Sequence, residues 1–187
     1  MELFYNDDLH EYRHGAINGP KLEGVTSIIA VDTKWFTEAS RVEGDYVHRM
    51  THLYDLNDLD EENLDPALQG YLTAYKKAKA EKGIEVIESE MRIHSDLYGY
   101  AGTLDKLVHI RGDHINSIID IKSGAYSGWT ELQVASYAGC FKEPLKRYGL
   151  ELRPNGNYRL WEHKDRNNIQ EFLTLLNAKR IREKYKL

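Results

Sequence analysis

The 187-residue sequence predicts a mixed α/β domain. Three consecutive runs rich in Ile, Leu, Val and Thr lie between residues 84 and 123, and helix-like segments precede and follow them. The resulting order, helix, three strands, helix, strand, helix, interleaves the two kinds of element. With 41% hydrophobic residues the chain has enough apolar material for one real core, and one domain over 1–187 is the expectation.

The elements follow from local patterns. Residues 2–14 read as short strands around Asn6-Asp7-Asp8, then a loop containing Gly and Pro, then a short apolar element, Val25-Thr26-Ser27-Ile28-Ile29. This opening, residues 1–36, is expected to flank a core formed by 37–187. A helical pattern runs from 37 to about 56, and an acidic link over 57–64 leads to a second helix over 65–82. That helix starts with Asp65-Pro66 and stops at Gly83, good start and stop signals. Strands are predicted over 84–93, 98–110 and 115–123, a helix over about 129–148, strands over 150–153 and 158–163, and a closing helix over 167–185.

The chemistry concentrates in 102–124, GTLDKLVHIRGDHINSIIDIKSG. Arg111-Gly112-Asp113-His114 has turn character, and a hairpin centred on Gly112-Asp113 sets Asp105 opposite Asp120. Side chains alternate along a strand, so Asp120 and Lys122 share one face while Ile119 and Ile121 take the other. Two carboxylates side by side repel. Burying them raises a pKa or demands a cation between them, and a divalent metal ion beside Lys122 answers that demand. The competing reading is a solvated sheet edge. The acid-x-lysine triplet alone decides nothing, since it also occurs as Asp32-Thr33-Lys34 and Glu162-His163-Lys164. Only the Asp120 triplet lies in an apolar strand, follows an acid on the neighbouring strand, and ends in a Ser-Gly turn.

Other candidates lie outside the hairpin. Glu90 could bring another carboxylate to the same end of the sheet, with Glu88 and Glu85 as alternatives and an acidic solvated face as the plain reading. His48 and His52 have the i, i+4 spacing that chelates zinc, but Arg49 stands where a metalloprotease needs Glu, so protease is discounted. Gln133 and Tyr137, also four apart, share one helix face. They either pack there or line a groove that hydrogen-bonds a phosphate.

Composition excludes several classes. No apolar run approaches the ~20 residues of a membrane span, and the first residues lack signal-peptide character, so the chain reads as soluble and intracellular. Cys140 is the only cysteine, which rules out an internal disulfide and cysteine-ligated zinc or iron–sulfur sites. A formal net charge of -5 is not that of a protein holding nucleic acid by bulk electrostatics. Positive charge gathers only in the tail, residues 179–186, where a helix C-terminus favours it anyway.

Taken together, the residues resemble the PD-(D/E)XK nuclease superfamily, in particular its RecB-like branch of phage-type exonucleases. Gly44-Asp45-Tyr46-Val47-His48 resembles the first motif, and Glu90 the glutamate before the hairpin. Asp105 matches the Gly-Thr-Leu-Asp strand, Asp120-Ile121-Lys122 the Asp-x-Lys motif, and Gln133-Val134-Ala135-Ser136-Tyr137 the Gln-x-x-x-Tyr motif. Five weak motifs in the correct order are specific together. Two departures stand out. Helicase motifs and cluster cysteines are absent, so the chain looks like a stand-alone enzyme, and the basic residue usual just before the glycine is displaced in Arg41-Val42-Glu43-Gly44.

The resemblance implies a restriction-endonuclease-like αβββαβ core and a metal-dependent deoxyribonuclease, an exonuclease of DNA processing, recombination or repair. Mg²⁺, with Mn²⁺ as a substitute, is implied on His48, Asp105, Asp120 and the Ile121 carbonyl. Asp105, Asp120, Glu90 and Lys122 are implied in catalysis, and Gln133 and Tyr137 in holding DNA. A homo-oligomer or a phage recombination partner protein are family options, in the cytoplasm of a bacterial or phage-infected cell. The alternative function is an inactive nucleic-acid-binding or assembly protein that keeps the fold, and a second is an interaction protein whose acidic hairpin is a solvated face.

Overall fold

The computed structural model describes residues 2–6, 9, 11–30, 37–124 and 127–187. The Asp32-Thr33-Lys34 triplet and the Asp7-Asp8 of the first predicted turn lie outside the described residues. The chain opens with an antiparallel meander, β1 (Leu3–Asn6), β2 (Glu11–His14) and β3 (Lys21–Gly24), and a short helix α1 (Val25–Ile29). Two long helices follow, α2 (Glu38–Asp55) and α3 (Pro66–Lys82), then three antiparallel strands, β4 (Ile84–Ser95), β5 (Tyr100–Ile110) and β6 (Ser117–Lys122). Helix α4 (Thr130–Ala138) crosses to β7 (Lys146–Leu152), parallel to β6. Strand β8 (Tyr158–Glu162) returns antiparallel, and α5 (Asn168–Tyr185) closes the chain. The result is a mixed α/β fold, an open mixed sheet flanked by helices.

Helix boundaries follow their local chemistry. Thr37 caps α2 by accepting the Ser40 amide at 3.1 Å, and Asp65 caps α3 by accepting the Ala67 amide at 2.9 Å. Gly83 ends α3 in the left-handed conformation at φ 60°, which glycine adopts without a Cβ penalty.

Two stretches depart from the sequence expectation. The helix predicted over 129–148 stops at Ala138, and Lys146 already begins β7. Gly139 weakens helix continuation, and Pro144 lacks an amide and pushes its predecessor away from the helical region. The segment beyond finds a better partner, a parallel ladder from Ser117↔Lys146 to Lys122↔Glu151, which buries Leu150 and Leu152. The second departure is Lys21–Gly24, read as loop but folded as β3, while the apolar Val25–Ile29 is helical.

Strand β5 organises the sheet. It pairs with β4 along its length, so β3 and β6 share its other edge, with Gly24↔Ala101 at one end and Val108↔Ser117 at the other. Two apolar clusters pack against it. The first joins Val47, Met50 and Tyr75 of α2 and α3 to Val108, Ile119 and Ile121, and the second joins Val134 and Phe172 of α4 and α5 to Tyr100, Leu104 and Ile118. Leu104 and Val108 are four apart and on a regular strand would share a face. They enter different clusters, so β5 changes face once between them, where Asp105 and Lys106 lie.

Candidate metal centre

The site forms where the β5–β6 ladder opens. The pairs Val108↔Ser117, Leu107↔Ile118 and Lys106↔Ile119 have the register that a turn at Gly112-Asp113 predicts, and the ladder ends one position before Asp105 and Asp120. At that position a side chain replaces the backbone acceptor, because the Ile121 amide donates to Asp105 Oδ2 at 2.6 Å. Both carboxylates are buried, Asp105 at 6% exposure and Asp120 at 1%. The solvated-edge reading of the hairpin is therefore excluded, and the face predicted to be simply charged is covered.

Strand β4 settles the choice among its glutamates. Its register against β5 shifts between Val86 and Glu88, and Glu90 has φ 54°, a left-handed conformation that strains a non-glycine residue by ~1–3 kcal/mol. Glu85 and Glu88 are exposed, while Glu90 Oε1 is buried with no hydrogen-bond partner among the described residues. Burial first, and then the charge of Asp105, push the Glu90 carboxyl up to about 7.

Helix α2 supplies His48 from the border of the face that buries Val47, Met50 and Thr51. Its Nδ1 lies 3.5 Å from Asp105 Oδ1 and 3.9 Å from Glu90 Oε1. Burial acts to lower the imidazole, but Asp105 outweighs it and holds His48 at about 9. The reciprocal effect appears on Asp105, where burial favours the neutral acid yet His48 and Lys122 keep the carboxyl below its ordinary range. His52 does not join its i, i+4 partner, because its Nδ1 sits 2.7 Å from Ser89 Oγ. A Cβ at Gly44 would lie 3.5 Å from Ser123 Oγ, an ordinary contact, so this glycine marks close approach to the Asp-x-Lys strand without being sterically required.

On the other side of Asp120, Lys122 Nζ stands 2.6 Å from Oδ2, donates to Gln133 Oε1 at 3.3 Å, and lies 4.6 Å from the centre of the Trp129 ring. Gln133 Nε2 donates to the Tyr137 hydroxyl at 3.0 Å. Burial first, then Asp120, keep that phenol protonated far beyond neutral pH. Gln133 and Tyr137, predicted as a possible groove lining, are buried and committed to each other and to Lys122. Asp120 Oδ1 is buried with no hydrogen-bond donor among the described residues, and burial pushes its carboxyl up to about 6 despite Lys122.

Three site features escape sequence reasoning. Trp129 reads only as the start of a helix, yet its ring carries Lys122. Gly102 is required by Tyr137, since a Cβ there would come within 2.6 Å of the ring; the Gly-Thr-Leu-Asp string hints at it without giving the reason. Lys106, next to Asp105, is 1% exposed and reaches Asp55 Oδ2 at 2.8 Å and Ser89 Oγ at 2.6 Å. Alternation would have put it on the face opposite Asp105.

One nitrogen of His48 and one oxygen each of Glu90 and Asp105 lie within 4.8 Å of one another, and the cleft beside them is lined by Asp45, Arg49 and His52. Asp120 stands outside that trio, against Lys122. A set of two carboxylate oxygens and one imidazole, with buried acceptors lacking donors, fits a hard divalent cation such as Mg²⁺ or Mn²⁺.

No protein-family model matches the sequence, and no curated protein matches it. Among solved structures, SSO0001 is 13% identical with a TM-score of 0.46, the alignment covering 89% of this chain and 79% of that one. An alkaline exonuclease (LHK-Exo) from Laribacter hongkongensis is 17% identical with a TM-score of 0.43, covering 83% and 84%. The same exonuclease in complex with dAMP gives 18%, 0.39, and 88% and 93%. These similarities are low, and the fold described above stands on its own strands and helices.

Proposed function

We propose that this chain is a divalent-metal-dependent deoxyribonuclease of the PD-(D/E)XK type, one domain that hydrolyses DNA phosphodiester bonds from an end. One observation carries the reading. Glu90, Asp105 and His48 converge within 4.8 Å near the buried Asp120 and its partner Lys122, drawn from α2, β4, β5 and β6. The motif resemblance of those same residues supports DNA and end-dependence.

In this proposal Asp105, Glu90 and His48 would hold Mg²⁺, with Asp120 and the Ile121 carbonyl as candidate further ligands. When bound, the ion lowers the pKa of water and offsets negative charge on the phosphoryl group. Asp105 is kept ionised by His48 and receives the Ile121 amide, which ties the carboxylate to β6. Lys122 presents its ammonium where charge builds on the phosphate oxygens, a preorganised stabiliser that need not reorient during reaction. Gln133 is turned by the protonated Tyr137 so that its carbonyl oxygen faces Lys122, and so it positions that ammonium. Trp129 keeps water from one side of the same group.

The test is a gel assay on end-labelled linear duplex, linear single-stranded and closed circular DNA, each with EDTA, Mg²⁺ or Mn²⁺. Metal-dependent loss of linear DNA that spares circles and disappears in Lys122→Ala is the expected result. Cutting of circles would replace exonuclease with endonuclease. Folded protein that cleaves nothing would favour the inactive nucleic-acid-binding alternative.

A further inference from the structure

The meander and the β4–β5 turn bring together a second cluster, independent of the site above. His14 ends β2, His94 lies near the end of β4, and Asp96 follows in the turn. His14 Nε2 is 3.0 Å from Asp96 Oδ1 and His94 Nε2 is 3.2 Å from the same oxygen, while the two rings meet edge to face at 5.6 Å. We propose that His14, His94 and Asp96 form a zinc-class cation site that clamps the N-terminal meander to the main sheet.

The spacing carries the argument. Donors bound tetrahedrally at about 2.0 Å from a zinc ion lie roughly 3.3 Å apart, close to both observed separations. All three donor atoms lie within 4.8 Å of one another. Two imidazole nitrogens and one carboxylate oxygen suit Zn²⁺ with water as fourth ligand, whereas the oxygen-richer set around Asp105 suits Mg²⁺. The ligands are held in place before any ion arrives. The His14 amide donates to the Pro20 carbonyl at 3.0 Å, His94 pairs with Ala101, and the turn closes through Gly99 donating to the Ser95 carbonyl at 2.7 Å. The Asp96 side chain is 55% exposed and leaves the site open to solution.

The location assigns a role. The meander joins the main sheet through a short ladder, Glu23↔Tyr100 and Gly24↔Ala101, supplemented by the Tyr12 hydroxyl at 2.8 Å from Thr103 Oγ1. An ion shared by His14 and His94 adds a link between segments about eighty residues apart, and a ligand that binds only the native state stabilises it.

The test uses the full chain with any affinity tag removed. Co²⁺ titration is read by visible ligand-field absorption, and hydrogen exchange over residues 11–24 is measured with and without Zn²⁺. Expected are one equivalent of Co²⁺ giving visible bands in the wild type and in Asp105→Asn, at least about 100-fold weaker binding in His94→Ala, and slower exchange with Zn²⁺. No bands in the wild type, bands lost in Asp105→Asn alone, bands kept by His14→Ala/His94→Ala, or unchanged exchange would each overturn it. Should a histidine variant fail to fold, Asp96→Asn on the exposed turn replaces it. About tenfold weaker Co²⁺ binding there supports the site, and unchanged binding overturns it.

Discussion

Lys106 and Lys122 are both drawn into the interior beside aspartates, yet their surroundings differ. Lys106 faces Asp55, whose oxygens are all committed: Oδ2 to Lys106 and the Tyr75 hydroxyl, Oδ1 to Lys79. Lys122 faces Asp120, whose Oδ1 is buried without a donor among the described residues, as is Glu90 Oε1. A closed network of buried charges is what folding alone requires, because an unpaired buried charge is costly. An open one retains unmet demand, and that demand is what a cation or a phosphate would satisfy. The contrast separates the two lysines by whether the aspartate each one faces is fully satisfied.

Single substitutions sharpen that contrast. Lys122→Ala is expected to lower nuclease turnover by about 10³-fold while the folded protein survives, checked by initial rates and circular dichroism. Lys106→Ala should do the reverse, costing ~3 kcal/mol of stability in urea melts by leaving Asp55 short of one partner. Equal stability losses in the two variants would break the distinction. Gly102→Ala is expected to be smaller, about 1–3 kcal/mol, because its methyl group must displace the Tyr137 ring from 2.6 Å. Its turnover should fall as well, since Tyr137 orients Gln133 and through it Lys122.

The smallest expected effect is on pH dependence without metal. Glu90 and Asp120 have folded values near 7 and 6, above their ordinary 4.5 and 3.8, and His48 is raised from 6.5 to about 9. Each group binds its proton more tightly in the folded state. Their stabilising contribution is therefore present at low pH and lost as pH rises, for the carboxyls through about 6 to 7 and for His48 through about 9. Asp105 is lowered and acts only in acid. The metal-free protein should melt at lower temperature at pH 8 than at pH 5.5, by a few degrees. Saturating Mg²⁺ should flatten that slope, as should Asp120→Asn; a rising profile without metal would contradict the reading of open carboxylates.

Much of the site was legible in the chain because it rests on local rules. The Gly112-Asp113 turn set the register of the β5–β6 ladder, and Asp65-Pro66 and Gly83 bounded α3. Glu90 could only be offered beside Glu88 and Glu85. A register shift and a left-handed backbone angle selected it, and period-two alternation cannot encode either.

The sequence by itself determined the order of elements from α2 to β6 and the hairpin register, since these depend on neighbours in the chain. Tertiary structure alone decided that α4 ends at Ala138 so that β7 can join β6, and that β3 occupies the free edge of β5. It also decided that β5 changes face at Asp105 and Lys106, sending one residue to the cluster with His48 and Glu90 and the other to a closed salt-bridge network. Those outcomes depend on which distant groups remain to be satisfied once the sheet assembles, a long-range competition for partners that no local pattern records.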